Sequence, residues 1–164
     1  MATRINLEHR FTKGVDKVWA MYSDRAFFEA KYKATGCTNI EVLDYKKSDK
    51  GFSITVRYDS KSDAPLPDFA KKFMAERITV TQTDAWDAAT RTGKITTELK
   101  GVPMKLSAEM KLEAAGKGCV NKMVWTLASG IPLVGGKLES ILGEDVKIKS
   151  ARDEQASQKL LEGY

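Results

Sequence analysis

The sequence is poor in the residues that build metal sites and disulfides. It contains two cysteines, Cys37 and Cys119, and a single histidine, His9, in 164 residues. The two cysteines lie far apart and form neither a CxxC pair nor a Cys/His spacing of the kind that binds zinc. We therefore predict reduced thiols, no metal site and no cofactor.

Long apolar segments are also missing. No stretch approaches the roughly 20 residues that a helix needs to cross a bilayer. The first 11 residues lack the apolar core of a signal peptide. These absences predict a cytoplasmic protein without stable membrane insertion.

The chain has little excess charge of one sign. Its 27 basic and 22 acidic residues give a net charge of +5 and are interspersed along the sequence. The densest basic cluster, Lys46, Lys47 and Lys50, also contains Asp44 and Asp49, whereas a nucleic-acid module gathers basic residues with aromatic residues on one face. We interpret this cluster as a solvated hairpin turn and predict no nucleic-acid partner.

Signatures of common enzyme classes are absent as well. Residues 135–137 (GGK) lack the spacing of a phosphate-binding loop, and no GxSxG nucleophile motif occurs. The many carboxylates cannot be paired from sequence, so an acid/base enzyme of the cyclase or hydratase kind stays open.

Length and composition indicate one globular domain spanning residues 1–164. Hydrophobic residues make up 42% and charged residues 30% of the chain, which is ordinary for a soluble fold. A chain of this size buries roughly two-thirds of the surface that its unfolded form exposes, so a sizeable core needs no disulfide or metal.

The chain begins with a strand and two helices. Apolar and polar residues alternate over residues 5–11, which predicts a strand with one buried face. Residues 15–22 follow a helical period. Asp24 and Gly36 are suited to begin and end a second helix.

A meander of six further strands follows. Alternating residues bounded by turn residues place these strands at 38–45, 52–58, 77–83, 92–99, 104–112 and 120–127. In the strand at 104–112 the alternation is clearest, with lysines and glutamates on one side. One face of the sheet is therefore expected to face solvent.

Two other segments interrupt or end this pattern. Residues 63–76 contain two prolines and a short apolar stripe, which we interpret as a helical lid or crossover. Residues 137–162 follow a helical period with Leu138, Ile141 and Leu142 on one apolar face. This long helix is the one predicted element large enough to cover the buried face of the sheet.

A sheet that curves around one helix can leave an internal pocket. Small inner-face residues such as Gly93, Thr97 and Ala108 favour such a pocket. Large residues on the same face, such as Met110 and Trp125, can instead fill it, so the sequence leaves both outcomes open.

Several segments resemble a known superfamily. Residues 15–20 (VDKVWA) and 23–27 (SDRAF) resemble the opening of the helix-grip (SRPBCC) superfamily of START-type lipid-transfer domains, polyketide cyclases and birch-pollen-allergen-like proteins. Residues 27–36, 69–86 and 131–139 (IPLVGGKLE) resemble a bacterial family of that superfamily whose function is unassigned. The resemblance implies an α+β helix-grip fold, with a curved antiparallel sheet of about seven strands around a long C-terminal helix. It also implies that a hydrophobic small molecule or lipid binds between them.

Alternate residues of a strand share one face of the sheet. This parity, together with the apolar stripe of the long helix, predicts which residues line the pocket. The predicted ligand-binding residues are His9, Phe11, Tyr58, Gln82, Thr97, Ala108, Met110, Trp125, Leu138, Ile141 and Leu142. Tyr58 and Trp125 are amphipathic, although core filling is the commoner role for such side chains. Gln82 and Thr97 can orient a polar ligand group, or satisfy one another or an internal water.

His9 is the one candidate for proton transfer. It shares strand parity with Phe11 and is expected to point inward. A general base is conceivable, but a lone histidine without an orienting partner favours a neutral imidazole held by a neighbouring hydroxyl, carboxylate or backbone group. We therefore assign no catalytic residue.

Two further groups of residues bear on ligand access. Asp145 and Lys149 lie one helical turn apart, a spacing that favours an internal ion pair over a site for a polar headgroup. The apolar residues Phe69, Phe73, Ile131 and Leu133 are proposed as a gate. Such a gate allows transient contact with a membrane or a ligand carrier, although packing against the body explains the same residues.

The sequence thus predicts non-catalytic binding of a hydrophobic small molecule or lipid. The first alternative is a cyclase- or hydratase-type enzyme that uses the same pocket. The second is a protein-interaction domain with a filled core.

Overall fold

A single antiparallel sheet of seven strands organises the chain. In the computed structural model, which describes residues 2–164, the strands follow the order β1-β7-β6-β5-β4-β3-β2 across the sheet. They are β1 (Ala2–Phe11), β2 (Thr38–Ser48), β3 (Gly51–Lys61), β4 (Arg77–Asp87), β5 (Thr92–Leu99), β6 (Met104–Ala115) and β7 (Gly118–Ser129). Every neighbouring pair is antiparallel. The predicted meander and the predicted number of strands are confirmed.

Three helices complete the fold. They are α1 (Val15–Tyr22), α2 (Arg25–Ala34) and α3 (Gly135–Leu161). The Asp24 carboxylate caps α2 by accepting a hydrogen bond from the Ala26 N–H at 3.0 Å. Gly36 has a φ of +89° just beyond the end of α2, a conformation that glycine adopts without steric cost. The predicted C-terminal helix, 137–162, agrees with α3 to within two residues at each end.

The long helix α3 covers the inner face of the sheet and packs beside β1 and β7. Leu138 and Leu142 of α3 are buried there. On β6 the side chains alternate between buried and exposed from Met104 to Leu112, because successive residues of a strand point to opposite faces. The outer face of the sheet is therefore exposed, as predicted.

Aromatic rings fill the core beneath α1 and α2, and we call this region the aromatic end. The Trp86 ring lies 6.0 Å from that of Trp19 and 5.5 Å from that of Tyr22, and Phe52 lies 5.5 Å from Trp19. Gly93 pairs with Trp86 across the β4–β5 ladder, and a Cβ at Gly93 would approach Trp86 Cδ2 to 2.5 Å. The small residue Gly93 therefore accommodates a ring, and our prediction that it leaves free space is wrong.

The connection between β3 and β4 is not the helical lid or crossover predicted at 63–76. Ala70–Lys72 form one short 3₁₀ turn, and the rest of the connection is irregular. Pro65 and Pro67, which lack N–H donors and have a fixed φ, lie in the irregular part before this turn. The strands on either side are antiparallel neighbours, so the chain makes no crossover.

The two edge strands differ in what lies along their unpaired edges. Along β1, the Arg10 N–H donates to Glu154 Oε2 of α3 at 2.8 Å. Just beyond the strand, the Thr12 N–H donates to Gln158 Oε1 at 3.3 Å. The opposite edge strand, β2, pairs irregularly with β3, with register shifts over residues 38–44.

Candidate functional site

A cavity of about 350 Å³ lies between the inner face of the sheet and α3, away from the aromatic end. Its apolar wall is built by Val80, Ile95, Leu99, Leu106, Met123, Leu142 and Val146. All of these side chains are buried, because they occupy the inward positions of four strands and of α3. The interior therefore offers an apolar surface of ligand size.

A chain of polar contacts crosses one side of the cavity. The rings of Tyr32 and Tyr58 stack with centroids 4.3 Å apart. The Tyr58 hydroxyl donates to Gln82 Oε1 at 3.2 Å, and Gln82 Nε2 donates to Asp84 Oδ1 at 3.0 Å. Burial raises the pKa of both phenols and of the Asp84 carboxyl. The two tyrosines therefore remain protonated at neutral pH.

Three cavity-lining groups that can donate a hydrogen bond have no partner among residues 2–164. They are Tyr32 Oη, Thr97 Oγ1 and Trp125 Nε1. Each of these atoms can donate a hydrogen bond, and the indole N–H can only donate. Buried polar groups in folded proteins are almost always paired. The cavity therefore offers hydrogen-bond donors to an acceptor group of a ligand.

His9 lies where β1 meets α3. Its Nε2 and the Ser150 hydroxyl are 2.8 Å apart and share a hydrogen bond. Burial is the main cause that lowers the pKa of His9, and Lys31 contributes to the lowering, while the carboxylates of Asp153 and Glu154 oppose it. The imidazole is therefore neutral at neutral pH and is held by a neighbouring hydroxyl.

Lys31 of α2 borders the same cavity and is almost fully buried. Its Nζ lies 4.8 Å from the centre of the Tyr32 ring and 5.2 Å from that of Phe28. The Asp153 carboxylate lies 3.5 Å away and supplies the opposite charge. Aromatic faces and one carboxylate thus stabilise this buried cation.

Four charged residues form what we call the charged end of the cavity. Lys149 Nζ lies 2.6 Å from Asp145 Oδ2 and 2.9 Å from Asp63 Oδ2. Arg152 lies 2.9 Å from Asp63 Oδ1. Burial alone would raise the pKa of the Asp63 carboxyl. The hydrogen bonds and charges of Arg152 and Lys149 outweigh this effect and lower the pKa. The ion pair predicted between Asp145 and Lys149 is present and belongs to a larger network.

The structure brings together six of the eleven predicted ligand-binding residues. His9, Tyr58, Gln82, Thr97, Trp125 and Leu142 all line the cavity. Their parity on the strands, or their place on the helical stripe, was sufficient to put them on the inner surface.

The other five predicted residues do not line the cavity: Phe11, Ala108, Met110, Leu138 and Ile141. Phe11 packs against Tyr22, with ring centres 5.9 Å apart, at the aromatic end. Met110 contacts Asn121, whose Nδ2 lies 3.7 Å from the Met110 sulfur. Ala108 and Leu138 are buried, and Ile141 is half-buried. These residues face inward as predicted, but at other levels of the core.

None of the four predicted gate residues lines the cavity. The centre of the Phe69 ring lies 6.0 Å from Lys137 Nζ at the start of α3, and Phe73 borders an adjacent surface depression that shares Met74, Ala75, Arg77 and Ile78 with the cavity. Ile131 packs against the core. Leu133 is fully exposed and has a φ of +71°. A gating role for these residues stays a prediction.

Several lining residues were missed by the sequence reasoning. Leu106 and Met123 share strand parity with predicted residues and could have been found by it. Tyr32 and Lys31 come from α2, a helix in which we predicted no pocket residue. Ser150 follows Leu142 and Val146 on one side of α3 at helical spacing.

Within residues 2–164 no group of three or more histidine, cysteine, aspartate or glutamate side chains is arranged to hold a metal ion. None of the helices described is long and apolar enough to cross a membrane.

The fold is shared with solved structures of low sequence identity. The chain is similar to the Zhui aromatase/cyclase from Streptomyces sp. R1128, with a TM-score of 0.72 and 13% identity over 99% of this chain and 94% of the other. It is similar to Ara h 8.0201, with a TM-score of 0.68 and 19% identity over 100% of both chains. It is also similar to norcoclaurine synthase from Thalictrum flavum in complex with dopamine and hydroxybenzaldehyde, with a TM-score of 0.62 and 14% identity over 100% of this chain and 88% of the other. At these identities the likeness establishes the helix-grip fold alone.

A comparison with family models gives a match over nearly the whole chain. The model described as "Protein of unknown function (DUF2505)" matches residues 6–161. No curated protein matches the chain.

Proposed function

Because the chain belongs to the DUF2505 family of proteins of unknown function, we propose a function from its cavity: the protein binds a hydrophobic small molecule or lipid between the sheet and α3. The observation that carries this proposal is the cavity of about 350 Å³ with its apolar wall. Small-molecule sites commonly occupy roughly 300–1,000 Å³ and combine apolar walls with a few polar groups. Close packing elsewhere in protein interiors makes an internal space of this size a costly feature.

Transfer of apolar ligand surface from water to this wall supplies the binding energy. The polar chain from Tyr58 to Asp84 and the unpartnered donors then orient the ligand. Solvent-exposed Lys61, Arg77 and Arg152 also line the cavity, so it reaches the surface at the charged end. Ligand entry at this end requires no unfolding of the sheet.

An approach to a membrane or a carrier would deliver such a ligand. The loop before α3 carries Leu133, whose side chain is fully exposed. This exposed apolar side chain supports transient contact of the loop with a membrane or a carrier. Binding of the ligand in the cavity does not depend on that contact.

A second candidate function is an enzyme of the cyclase or hydratase kind. The observation that favours it is His9, a cavity-lining base whose pKa is lowered by burial. The hydrogen bond between His9 Nε2 and the Ser150 hydroxyl argues against this function, because that nitrogen is then not free to take a proton from a ligand. The cavity itself argues against the alternative of an interaction domain with a filled core.

Native mass spectrometry of the protein purified from its own host tests binding directly. We expect a bound species that organic extraction releases and identifies as an apolar metabolite or lipid. As a site-specific test, a solvatochromic apolar dye should bind near one equivalent, and Val80→Trp should weaken it at least tenfold by filling the cavity. The matched control is Val124→Trp, which places the same ring at an exposed position of β7. Equal dye affinity in the two variants would contradict binding in this cavity.

The enzyme alternative is tested by His9→Gln. A panel of candidate ligands is monitored for both binding and chemical conversion by wild type and variant. Loss of a general base reduces turnover roughly 10²–10⁴-fold and leaves binding nearly intact. Conversion by wild type that disappears in His9→Gln, with binding retained, would replace the binding proposal by an enzyme.

A further inference from the structure

Two unpartnered donors lie on the sheet side of the cavity. Thr97 Oγ1 on β5 and Trp125 Nε1 on β7 are buried and have no hydrogen-bond partner within residues 2–164. Both residues line the cavity. Thr97 pairs with Leu106 of β6, and Trp125 pairs with Ala108 two residues further along that strand. The two donors therefore belong to one wall, separated by a single strand.

Neighbouring polar groups on this wall are already occupied. Gln82 lies opposite Thr97 in the β4–β5 ladder, but its oxygen accepts from Tyr58 and its amide nitrogen donates to Asp84. Each end of the Gln82 amide thus has one partner, and its second N–H is a further donor. A ligand that enters here meets available hydrogen-bond donors and must supply an acceptor, because the indole N–H cannot accept.

The surroundings of these donors disfavour an anionic acceptor. Ile95, Leu99 and Leu106 surround the wall with apolar surface, and a carboxylate placed there would lose its hydration without a compensating charge. The buried or half-buried cations that line the cavity lie at α2 and at the charged end, where each has an acidic partner, while exposed Arg77 at the rim donates to Thr38 Oγ1 at 2.8 Å. Lys31 is paired with Asp153, Lys149 with Asp145 and Asp63, and Arg152 with Asp63.

We propose that the cavity selects neutral, predominantly apolar molecules that carry a carbonyl-type oxygen, such as ketones, quinones or esters, and that Thr97 and Trp125 bind this oxygen. This inference rests on the proposed binding function and specifies its ligand class. It distinguishes these ligands from hydrocarbons, which leave both donors unpaired, and from fatty-acid carboxylates, which carry an unmatched charge.

Three naphthalenes of similar shape test the inference on the full-length protein. They are 2-acetylnaphthalene, with a neutral acceptor, 2-ethylnaphthalene, with none, and 2-naphthoate, with a charged one. Isothermal titration calorimetry measures their affinities for wild type and for Thr97→Val, which removes the hydroxyl at nearly constant shape. We expect the variant to bind the ketone roughly threefold to tenfold more weakly, the range for one hydrogen bond. Affinity for the hydrocarbon should be unchanged or higher.

Two further variants complete the design. Trp125→Phe removes the indole donor and should also weaken the ketone selectively. Thr96→Val is the matched control, because Thr96 is exposed on the outer face of the same strand, and it should alter neither affinity. In wild type at pH 7, 2-naphthoate should bind at least tenfold more weakly than the ketone.

The outcomes separate the inference from the function on which it rests. If Thr97→Val changes the ketone and hydrocarbon affinities equally, or changes neither, the donor assignment is wrong while binding of both still supports the cavity. If 2-naphthoate binds most tightly, the ligand class is wrong. If wild type binds none of the three and the dye also fails to bind, the proposed function is wrong as well.

Discussion

Lys149 Nζ lies 2.6 Å from Asp145 Oδ2, one turn away along α3, and 2.9 Å from Asp63 Oδ2 in the connection between β3 and β4. The other Asp145 oxygen, Oδ1, accepts hydrogen bonds from the backbone N–H groups of Asp63 and Ala64. One carboxylate thus fixes the start of the irregular segment that borders the cavity.

Replacing Asp145 should destabilise the protein. Asp145→Ala leaves two backbone donors without their acceptor and removes one of the two carboxylates paired with Lys149, and we expect a loss of about 2–3 kcal/mol in the free energy of unfolding. Urea denaturation measures it. The control is Lys147→Ala on the same helix, whose exposed pair with Glu144 is worth less than about 0.5 kcal/mol. A loss no larger than that of the control would show that the carboxylate does not anchor the segment.

The stability of the protein should decline below about pH 6.5 because of His9. Its folded-state pKa is lowered by burial, so the unfolded chain binds the proton first as the pH falls. The contribution of the neutral imidazole is complete above the unfolded-state pKa of about 6.5 and is lost below it, with a slope of up to about 1.4 kcal/mol per pH unit.

Denaturation of wild type and His9→Gln between pH 7.5 and 5 isolates this effect from that of the carboxyls. The difference in unfolding free energy between the two proteins should vary with pH in this window. Because His9 is the one histidine of the chain, its imidazole proton resonances also report the folded-state pKa directly. An NMR titration midpoint above 6.5 would contradict the prediction.

Any side chain at Gly93 should destabilise the protein, because the Trp86 ring lies directly against the Gly93 backbone. In Gly93→Ala the new Cβ meets the Trp86 ring at 2.5 Å, and displacement of that ring should cost about 1–3 kcal/mol. Thermal unfolding and near-ultraviolet circular dichroism report the stability and the tryptophan environment. Gly136→Ala is the control, since a Cβ there has no neighbour within 4 Å. Two variants of equal stability would mean that the aromatic end is loosely packed.

The buried stripe of α3 should carry much of the stability. Leu138 is fully buried, and Leu138→Ala should cost about 2–5 kcal/mol through lost burial and the hole that remains. Ile148→Ala, at an exposed position of the same helix, should change stability by less than about 0.5 kcal/mol. Chemical denaturation of both variants measures the contrast, and a small effect at Leu138 would show that the sheet holds without this contact.

The two thiols should differ in reactivity. Burial raises the pKa of Cys119 to about 11 and also raises that of Cys37, so little thiolate forms at either residue at pH 8. Cys37 is half-buried and lines the cavity, so a thiol reagent should modify it first and a cavity ligand should protect it. Cys37→Ser should remove the faster phase of modification. Protection that persists in this variant would exclude the cavity as its cause.

The architecture was predictable because each element carries its own period. The alternation over residues 104–112 determines which face of the sheet is buried, and the terminal helical stripe determines which face of α3 is buried. These two apolar faces can both leave water only if α3 packs on the sheet, as observed. The segment 63–76 was mispredicted because its short apolar stripe suggested a helix, whereas only Ala70–Lys72 form a turn, and a stripe this short does not determine the type of element.

The site was predictable only in part for a geometric reason. Strand parity identifies the face of a residue but not its level along the strand. Thr97 and Met110 both face inward, yet one borders the cavity and the other contacts Asn121. The position of the cavity within the core depends on how the rings from α1 and α2 meet Trp86, a long-range contact without a local sequence pattern.

Both free edges of the sheet are unsuited to growth by strand addition. An open sheet can recruit further strands through unpaired backbone groups, which leads to aggregation. Here the backbone N–H of Arg10 on β1 is already used by Glu154 of α3. On the other side the register shifts of β2 break the straight row of donors and acceptors, and Lys46 and Lys47 add exposed positive charge. These contacts, the irregular register of β2 and its exposed lysines disfavour growth of the sheet by strand addition.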